Sequence, residues 1–587
     1  MKRRHLIAVA SALVLSGALI SPAQSYNFTF PKTPSYGYTI EEMLPYFGDS
    51  ISQIIGATIP MKSNNFKGEN RLCSSIEDSH CDGVTDLNAK LILPPCAADS
   101  DRTCIESLEL GSKDNMVKAS LDHVAATQGT PASTKFGLPA GGSMSLWKSA
   151  NVKTTDGTNT FGVGVQVQYY QPRSSGSQRE VVLKASEYGN VILQGFRAVV
   201  MPINMVSGNF SLLENYESID ANLDGHFNTG TRFKDPKYDN VGDCAWTETK
   251  LCAKYSDFVP GTRVALTLRL GNDVTGWLFG RMQRIDVSLK TLDSKFNVIR
   301  IEGDSVDIPS ASGFILKSDL PKYPAIDKIA RGNYYEGDGF YEKFLADPNP
   351  SANGGQPSGG FDSFLAWEQF LKPTELRNSR WVISGGANSN GYVAGLNNAC
   401  TSDKTKLNGV VTTNAMIYEP GPPTFTGDSL SYKVAGLHSL ADGSTFSGTY
   451  DLSMRKTVAQ CLYKFSDAPL KAVVAVTSQD GSSQDITTEA LSEKDGWLHL
   501  GAYNFHFSQP TIRIKLTQEK SATIATPTPA TPAPNTSTPP AGNAAPANSS
   551  PGNQTVPKSI SITCVKGKTV KKVTAAKPVC PAGYKKK

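Results

Sequence analysis

The sequence predicts a mainly β protein with two antiparallel β-sandwich-like domains and few short helices. Apolar side chains alternate with polar or small ones, as between Phe161 and Tyr170, and this period of two is typical of strands. The 51 glycines and 36 prolines favour turns over long helices. Because no helix-length segments alternate with the strands, a parallel βαβ arrangement is disfavoured.

The first β region covers residues 26–330. Its strands are predicted at Phe161–Tyr170, Glu180–Lys184, Val191–Phe196, Arg263–Arg269, Gly276–Leu289 and Val298–Glu302. The segment before these strands, 26–135, is more irregular. There, residues 35–47 contain a candidate helix with Thr39 as its N-cap and Glu42 as the capping-box partner.

The second β region covers residues 376–519 and follows a connector at 331–375. Its strands are predicted at Leu430–Val434, Phe446–Met454, Ala472–Val476, Trp497–Leu500 and Thr511–Leu516. Turn signals recur between these strands at the spacing of an all-β sandwich. The connector holds one short helix, 362–371, which Pro373 ends because proline cannot continue a helix.

Residues 1–25 have the features of a secretory signal peptide. Positive residues at 2–4 precede an apolar run from 6 to 20, and small residues indicate cleavage at about residues 23 to 25. An uncleaved membrane anchor is the alternative, but the run is shorter than the roughly 20 residues that span a bilayer. No later segment is apolar for long enough, so we expect no transmembrane span after signal removal.

The ten cysteines predict five disulfides, because their number is even and an exported protein meets an oxidising compartment. Three neighbouring pairs share a spacing of eight residues, which suits a hairpin or a loop. The predicted pairs are Cys73–Cys81, Cys96–Cys104, Cys244–Cys252, Cys400–Cys461 and Cys564–Cys580. Pairing of 73 with 104 and of 81 with 96 is the alternative. Structural zinc is disfavoured, because Cys-x₂₋₄-Cys spacing and nearby histidines are both missing.

The C-terminal segment 558–587 carries nine lysines and no acidic residue. A Pro/Thr/Ala-rich stretch, 521–557, precedes it, and this composition predicts a disordered, extended linker. So small a module cannot be held by burial alone, and the predicted Cys564–Cys580 bridge would close it. The module predicts electrostatic attachment to an anionic surface, although solubility alone is the alternative. The candidate surface-binding residues are Lys566, Lys568, Lys571, Lys572, Lys585, Lys586 and Lys587.

The positive charge of the chain is concentrated at its two ends. The whole chain has a net charge of +5; without three positive residues of the signal and nine lysines of the tail, residues 26–557 carry −7. A nucleic-acid-binding protein would spread Lys and Arg over its main domain, with aromatic side chains between them. The distribution therefore disfavours nucleic acid and favours an anionic cell-envelope polymer or glycan as the partner.

One loop has the ligand pattern of a calcium site. The oxygen-bearing residues Asp220, Asn222, Asp224 and Asn228 occupy positions 1, 3, 5 and 9, and a glycine occupies position 6. Position 12 is a threonine where a bidentate glutamate is usual, so we expect Ca²⁺ to bind weakly. The alternative is an ordinary Asn/Asp/Gly turn between strands. No other cofactor is predicted.

The sequence assigns no catalytic residue. Motifs of metalloproteases, serine hydrolases, P-loop enzymes and dinucleotide-binding enzymes are missing. Glu336 and Asp338 lie in the aromatic-rich stretch 334–341, and a glycoside hydrolase needs two carboxylates beside stacking rings. An ordinary surface loop explains the same residues, so hydrolysis is the alternative and not the leading hypothesis.

Several short motifs are distributed over the mature chain: Leu93–Cys96, Cys104–Ser107, Gly137–Trp147, Gly276–Arg281, Gly448–Leu452, Cys461–Phe465, Asp495–Leu498, Ile562–Thr569 and Cys580–Lys587. Together they resemble secreted β-rich proteins of actinobacteria that end in a short Lys-rich, Cys-pair module. The resemblance implies export and a Gram-positive-type envelope, and it brings no catalytic residues.

The sequence as a whole leads to one function hypothesis and one alternative. We predict a secreted, cell-surface or cell-wall protein that binds or builds structure without catalysis, anchored electrostatically by its lysine-rich tail. The alternative is a secreted polysaccharide hydrolase whose tail is an accessory surface-binding element.

Overall fold

The architecture is that of a computed structural model, which describes most of the chain between residues 35 and 518 and parts of the C-terminal segment. The described residues are 35–40, 42, 51–58, 69–125, 129–175, 181–211, 244–327, 363–385, 400, 407–418, 423–426, 429–463, 470–477, 483–486, 490–507, 511–518, 560–566, 569–575 and 585–586. Within them the chain forms 33 β-strands and only short helices.

The first twelve strands are β1 (Ser35–Ile40), β2 (Gln53–Thr58), β3 (Glu69–Cys73), β4 (Asp86–Ile92), β5 (Cys104–Ser112), β6 (Asn115–Lys118), β7 (Ser120–Val124), β8 (Ser145–Lys148), β9 (Thr160–Pro172), β10 (Ser174–Ser175), β11 (Val181–Val182) and β12 (Ile192–Ser207). The next twelve are β13 (Cys244–Glu248), β14 (Leu251–Tyr255), β15 (Arg263–Gly271), β16 (Gly276–Arg281), β17 (Gln283–Thr291), β18 (Phe296–Asp304), β19 (Val306–Leu316), β20 (Lys372–Gly385), β21 (Leu407–Thr413), β22 (Ile417–Tyr418), β23 (Thr424–Thr426) and β24 (Ser429–Ala435).

The last nine strands are β25 (Ser447–Arg455), β26 (Leu470–Thr477), β27 (Ser483–Ile486), β28 (Ala490–Lys494), β29 (Trp497–His506), β30 (Thr511–Gln518), β31 (Ile560–Lys566), β32 (Thr569–Ala575) and β33 (Lys585–Lys586). The α-helical segments are 324–327, 363–367 and Lys456–Tyr463. Short 3₁₀ turns lie at Ser79–Cys81, Ala185–Glu187, Lys317–Lys322 and Glu368–Phe370. The mainly β class predicted from the alternating sequence pattern is thus confirmed.

Seventeen of the described strands are hydrogen-bonded into one extended sheet. Its longest strand, β12, pairs with β9, β14 and β20. From β20 the pairing continues through β16, β21, β25 and β29 to β28. The strand pairs of the described residues are antiparallel, with β16 and β21 as the one parallel exception.

A five-stranded sheet, in the order β17–β18–β15–β5–β6, shares a core with the extended sheet. Leu266 and Leu268 of β15 belong to the same buried cluster as Val163 and Val165 of β9. Successive strand residues point to opposite faces, so residues two apart enter one core. Burial of each such side chain stabilises the fold by about 1.5–3 kcal/mol.

Strand β16 lies between two cores. Leu278 is buried in the first core, whereas Trp277 and Phe279 are buried in a second core that also contains Tyr450 and Leu452 of β25. The neighbouring β21 alternates in the same way, with one valine in each core. A strand buried on both faces has a near-continuous apolar sequence, and Gly276–Arg281 has that character.

The two predicted β regions share this sheet. We predicted separate domains at 26–330 and 376–519; strands β12, β16 and β19 of the first region instead pair with β20 and β21 around the start of the second. Residues 1–520 accordingly form one compact unit, and residues 521–587 form another. The physical reason is that β16 and β21 supply side chains to both cores.

A further sheet contributes to the second core through β22 and β24. A six-stranded sheet runs in the order β22–β24–β30–β26–β27, with β23 on β24. Tyr432 and Val434 of β24 are buried in the same cluster as Phe505 and Phe507. In β24, the pattern of alternate apolar residues that predicted the strand therefore corresponds to its buried face.

The predicted helix at residues 35–47 is wrong over its first part. Residues 35–40 form β1, which pairs antiparallel with β19, and both Tyr38 and Ile40 are buried in the second core. The tertiary pairing prevails over the capping pattern because it satisfies backbone hydrogen bonds and buries two large side chains. The helix predicted in the connector is present at 363–367 and continues as a 3₁₀ turn.

Several predicted segments lie outside the described residues. They are the signal peptide at 1–25, most of the connector at 331–375 and the linker at 521–557. Among the residues that are described, the helices are all too short or too polar to cross a lipid bilayer.

Candidate functional site

Four of the five predicted disulfides are present. The pairs Cys73–Cys81, Cys96–Cys104, Cys244–Cys252 and Cys400–Cys461 have Cα–Cα distances of 5.8, 5.0, 5.5 and 5.5 Å. The crossed alternative for the first four cysteines is therefore wrong. Cys564 lies on β31, and Cys580 lies outside the described residues, so their pairing stays a prediction.

The predicted calcium loop lies outside the described residues. Its candidate ligands Asp220, Asn222, Asp224 and Asn228 fall within the segment 212–243. Glu336 and Asp338, on which the hydrolase alternative depends, lie outside them as well. Within the described part of the chain, no group of three or more His, Cys, Asp or Glu side chains is arranged to hold a metal ion.

The lysine-rich module contains a three-stranded sheet in the order β32–β31–β33. Cys564 on the central strand lies opposite Lys571 on one neighbour and opposite Lys586 on the other. Of the seven candidate surface-binding lysines, five lie at strand positions, and Lys585 is exposed. They are Lys566, Lys571, Lys572, Lys585 and Lys586. Lys568 and Lys587 are outside the described residues.

A polar cluster lies within the 1–520 unit, on the face of β25 and β29 opposite the second core. Asp451 is fully buried, and the hydroxyl of Tyr503 donates a hydrogen bond of 2.5 Å to Asp451 Oδ1. Gly501 lies directly across from Asp451, and a Cβ at that position would collide with the Tyr503 ring. The glycine therefore makes the room in which the phenol reaches the carboxyl group.

Strand β17 covers this polar cluster. Its register with β18 shifts between Gln283 and Asp286, and Arg284 within that bulge has a φ of 53°, in the left-handed region. Such backbone is costly for a non-glycine residue and persists where the surroundings hold it in place. The bulge turns the backbone amides of Arg284 and Ile285 toward Asp451.

Burial raises the pKa of the Asp451 carboxyl to about 7, and the hydrogen bond from Tyr503 and the two amides of β17 offset only part of that rise. Oδ2 of Asp451 is buried without a hydrogen-bond partner of normal geometry among the described residues. A carboxyl group in this position keeps its proton up to near-neutral pH. Burial likewise lowers the pKa of the nearby His499 imidazole, which is therefore neutral at pH 7.

An ion-pair network continues from the cluster across the five-stranded sheet. Arg284 lies over the Tyr503 ring and bonds Asp304 at 3.2 Å, and Asp304 accepts from Arg263 at 2.6 Å. Arg263 also bonds Glu302. The mutually paired side chains of this network can link the five-stranded sheet to the extended sheet. The covered Asp451 carboxyl can hold a proton.

Sequence reasoning missed this cluster. Asp451 alternates with the apolar Tyr450 and Leu452, which is the pattern of a strand with one solvent-facing side. Only the crossing of β17 makes that polar side a buried one, and no local pattern in the sequence signals such a crossing.

Comparison with known proteins gives no relative to guide the assignment. Models of protein families do not match the chain, and no curated protein matches it either.

Proposed function

We propose that this is a secreted, cell-envelope-associated protein without enzymatic activity, and that the lysine-rich module at 558–587 holds it on an anionic polymer. The single observation that carries the proposal is the separate C-terminal unit, which has a three-stranded sheet with five lysines and no acidic residue. Clustered lysines with no acidic neighbour in the segment attract polyanions, and salt weakens that attraction.

Two further features support export and surface attachment. Four disulfides fit an oxidising compartment, where reducing systems of the cytosol do not act. The −7 charge of residues 26–557 would keep the body of the protein away from the same polyanion that attracts the tail. The expected arrangement is a disulfide-braced β body tethered by its linker to a phosphate-bearing wall polymer or lipid headgroup.

Deletion of residues 558–587 should release the protein from the envelope fraction into the medium. For the full-length protein, raising salt from 0.1 to 1 M should elute it, because the Debye length falls from about 10 Å to about 3 Å. Purified wall fragments and anionic phospholipid vesicles, tested in parallel, distinguish the two phosphate sources. Retention of the deleted protein at high salt would contradict the proposal.

A matched pair of full-length variants separates charge from fold in this test. Replacing the five strand lysines (566, 571, 572, 585 and 586) by glutamine lowers the charge of the module from about +9 to about +4 and should strongly weaken retention, whereas replacing them by arginine should preserve it. Equal retention of both variants would show that the lysine charge does not hold the protein.

A further inference from the structure

Two histidines that are 68 residues apart in the sequence meet on the surface of the 1–520 unit. The rings of His438 and His506 have centroids 5.8 Å apart and are nearly perpendicular, at 86°. Both side chains are exposed. His506 is the last residue of β29, and His438 follows β24 by three positions, so different strands bring the two rings together.

The backbone under this histidine pair is fixed by a hairpin. The carbonyl of His438 accepts a hydrogen bond from the Phe446 amide at 2.9 Å, and Ser439 forms a bridge with Thr445. Ser447, the residue after Phe446, then lies opposite His506 in the pairing of β25 with β29. Three adjacent segments therefore set the positions of both histidines.

An aromatic cluster supports the same positions from beneath. Phe446, whose amide bonds the His438 carbonyl, and Phe507, which follows His506 in the chain, are buried and stacked with centroids 4.7 Å apart. Phe505 packs edge-on against Phe507 at 5.2 Å. Close-packed rings resist displacement, so the two imidazoles start from a defined separation and reorient mainly through their own side-chain torsions.

The ring nitrogens of the pair are available as ligands. Within the described residues, no hydrogen bond or ion pair engages either imidazole. His123 differs, because its two ring nitrogens lie 3.3 Å from Asp122 and 3.1 Å from Glu248. Neutral imidazole nitrogen is the commonest protein ligand for transition metals, and it must be unengaged to bind one.

We propose that His438 and His506 form a two-imidazole site for a divalent transition metal, with Cu²⁺ or Zn²⁺ as the fitting ions. At metal–nitrogen distances of about 2.0–2.1 Å, two imidazoles on one tetrahedral ion have ring centres roughly 5 Å apart. The observed 5.8 Å is within about 1 Å of that separation, and both exposed side chains are free to rotate toward a shared ion. Two protein ligands leave coordination positions open for water or an external donor, as in sites that bind or activate a further ligand.

The test is a titration of the full mature protein with Cu²⁺, in which binding is measured by calorimetry and by electron paramagnetic resonance. Cu²⁺ is the stronger probe because it forms the most stable complexes with nitrogen ligands among the first-row divalent ions. We expect one Cu²⁺ site with hyperfine structure from two imidazole nitrogens. Each of His438→Ala and His506→Ala should weaken that site by about tenfold or more, and the double variant should lose it.

His80→Ala is the matched control, because His80 is also exposed but has no histidine neighbour in the described residues. It should bind Cu²⁺ like the wild type. Both histidines of the pair are exposed, so thermal unfolding of the variants should be unchanged and exclude a folding defect. Wild-type affinity in the double variant, or a signal from one imidazole only, would overturn the proposal.

Discussion

Replacing Glu42 by glutamine should destabilise the protein by about 3–5 kcal/mol, because it leaves the Arg281 guanidinium buried without a counter-charge. The side chains of Arg281 and Glu42 are essentially inaccessible, and Arg281 Nη2 bonds Glu42 Oε2 at 2.9 Å. Arg281 also donates to the backbone carbonyls of Thr413, Ala415 and Met416, and it stacks over the Tyr418 ring at 4.5 Å.

The size of this effect follows from the position of the pair. Glu42 follows β1, Arg281 ends β16, and the accepting carbonyls lie at and just after the end of β21, so one guanidinium connects three parts of the 1–520 unit. The glutamine variant preserves the side-chain volume and one acceptor oxygen, but it removes the charge and replaces the second oxygen by an NH2 donor. The loss therefore reports the missing counter-charge together with the weakened hydrogen bonding to Arg281.

Chemical denaturation of the oxidised protein measures this loss. Asp319→Asn is the control, because Asp319 pairs with Lys322 at the surface and an exposed pair contributes about 1 kcal/mol or less. Combining Glu42→Gln with Arg281→Met should cost less than the sum of the two single substitutions, since no unpaired charge remains. A cost for Glu42→Gln as small as that of the control would show that the pair is not linking these segments.

Replacing Asp451 by asparagine should remove a component of the pH dependence of stability between about pH 4 and pH 7. The pKa of Asp451 is raised in the folded protein from 3.8 to about 7, chiefly by burial. The folded state therefore binds this proton more tightly than the unfolded chain does. The stabilisation is fully present below about pH 4 and is lost as pH rises through about 7, by roughly 4 kcal/mol at most.

Denaturation curves of wild type and Asp451→Asn at pH 4, 5.5, 7 and 8.5 would test this expectation. The stability of the variant relative to wild type should rise across the window and become constant above it. Asp114→Asn, at an exposed site between β5 and β6, is the control. Its stability relative to wild type should not change with pH. If the free energies of unfolding of Asp451→Asn and of wild type changed equally with pH, the claim that Asp451 is protonated in the folded protein would be wrong.

The sequence predicted the local features of this fold well. Alternating valines in β9 predicted a strand, because a strand has a side-chain period of two. A spacing of eight residues predicted three disulfides, because cysteines that are close in the chain can meet without distant contacts. The connector helix was also visible, since its apolar stripe and the following Pro373 lie within one short segment. At residues 35–40 the same local reasoning failed, because pairing with β19 outweighed a plausible capping pattern.

The candidate sites were less accessible to prediction. The lysine-rich module was recognised because its charge is contiguous in the sequence. The Asp451 cluster was missed, because a polar residue alternating with apolar ones looks the same whether water or another sheet covers it. The pair of His438 and His506 carries no signal in the sequence, since nothing in their spacing of 68 residues indicates that β24, β25 and β29 bring them together.

By itself, the sequence determined the strand-forming character of the chain, the nearest-neighbour disulfides and the unequal distribution of charge between body and tail. Only the tertiary structure decided that the two β regions share a sheet, that Arg281 meets Glu42, and that Asp451 is buried. The reason is that a strand's period is set by its own residues, whereas its hydrogen-bond partners and the layer that covers it come from distant parts of the chain.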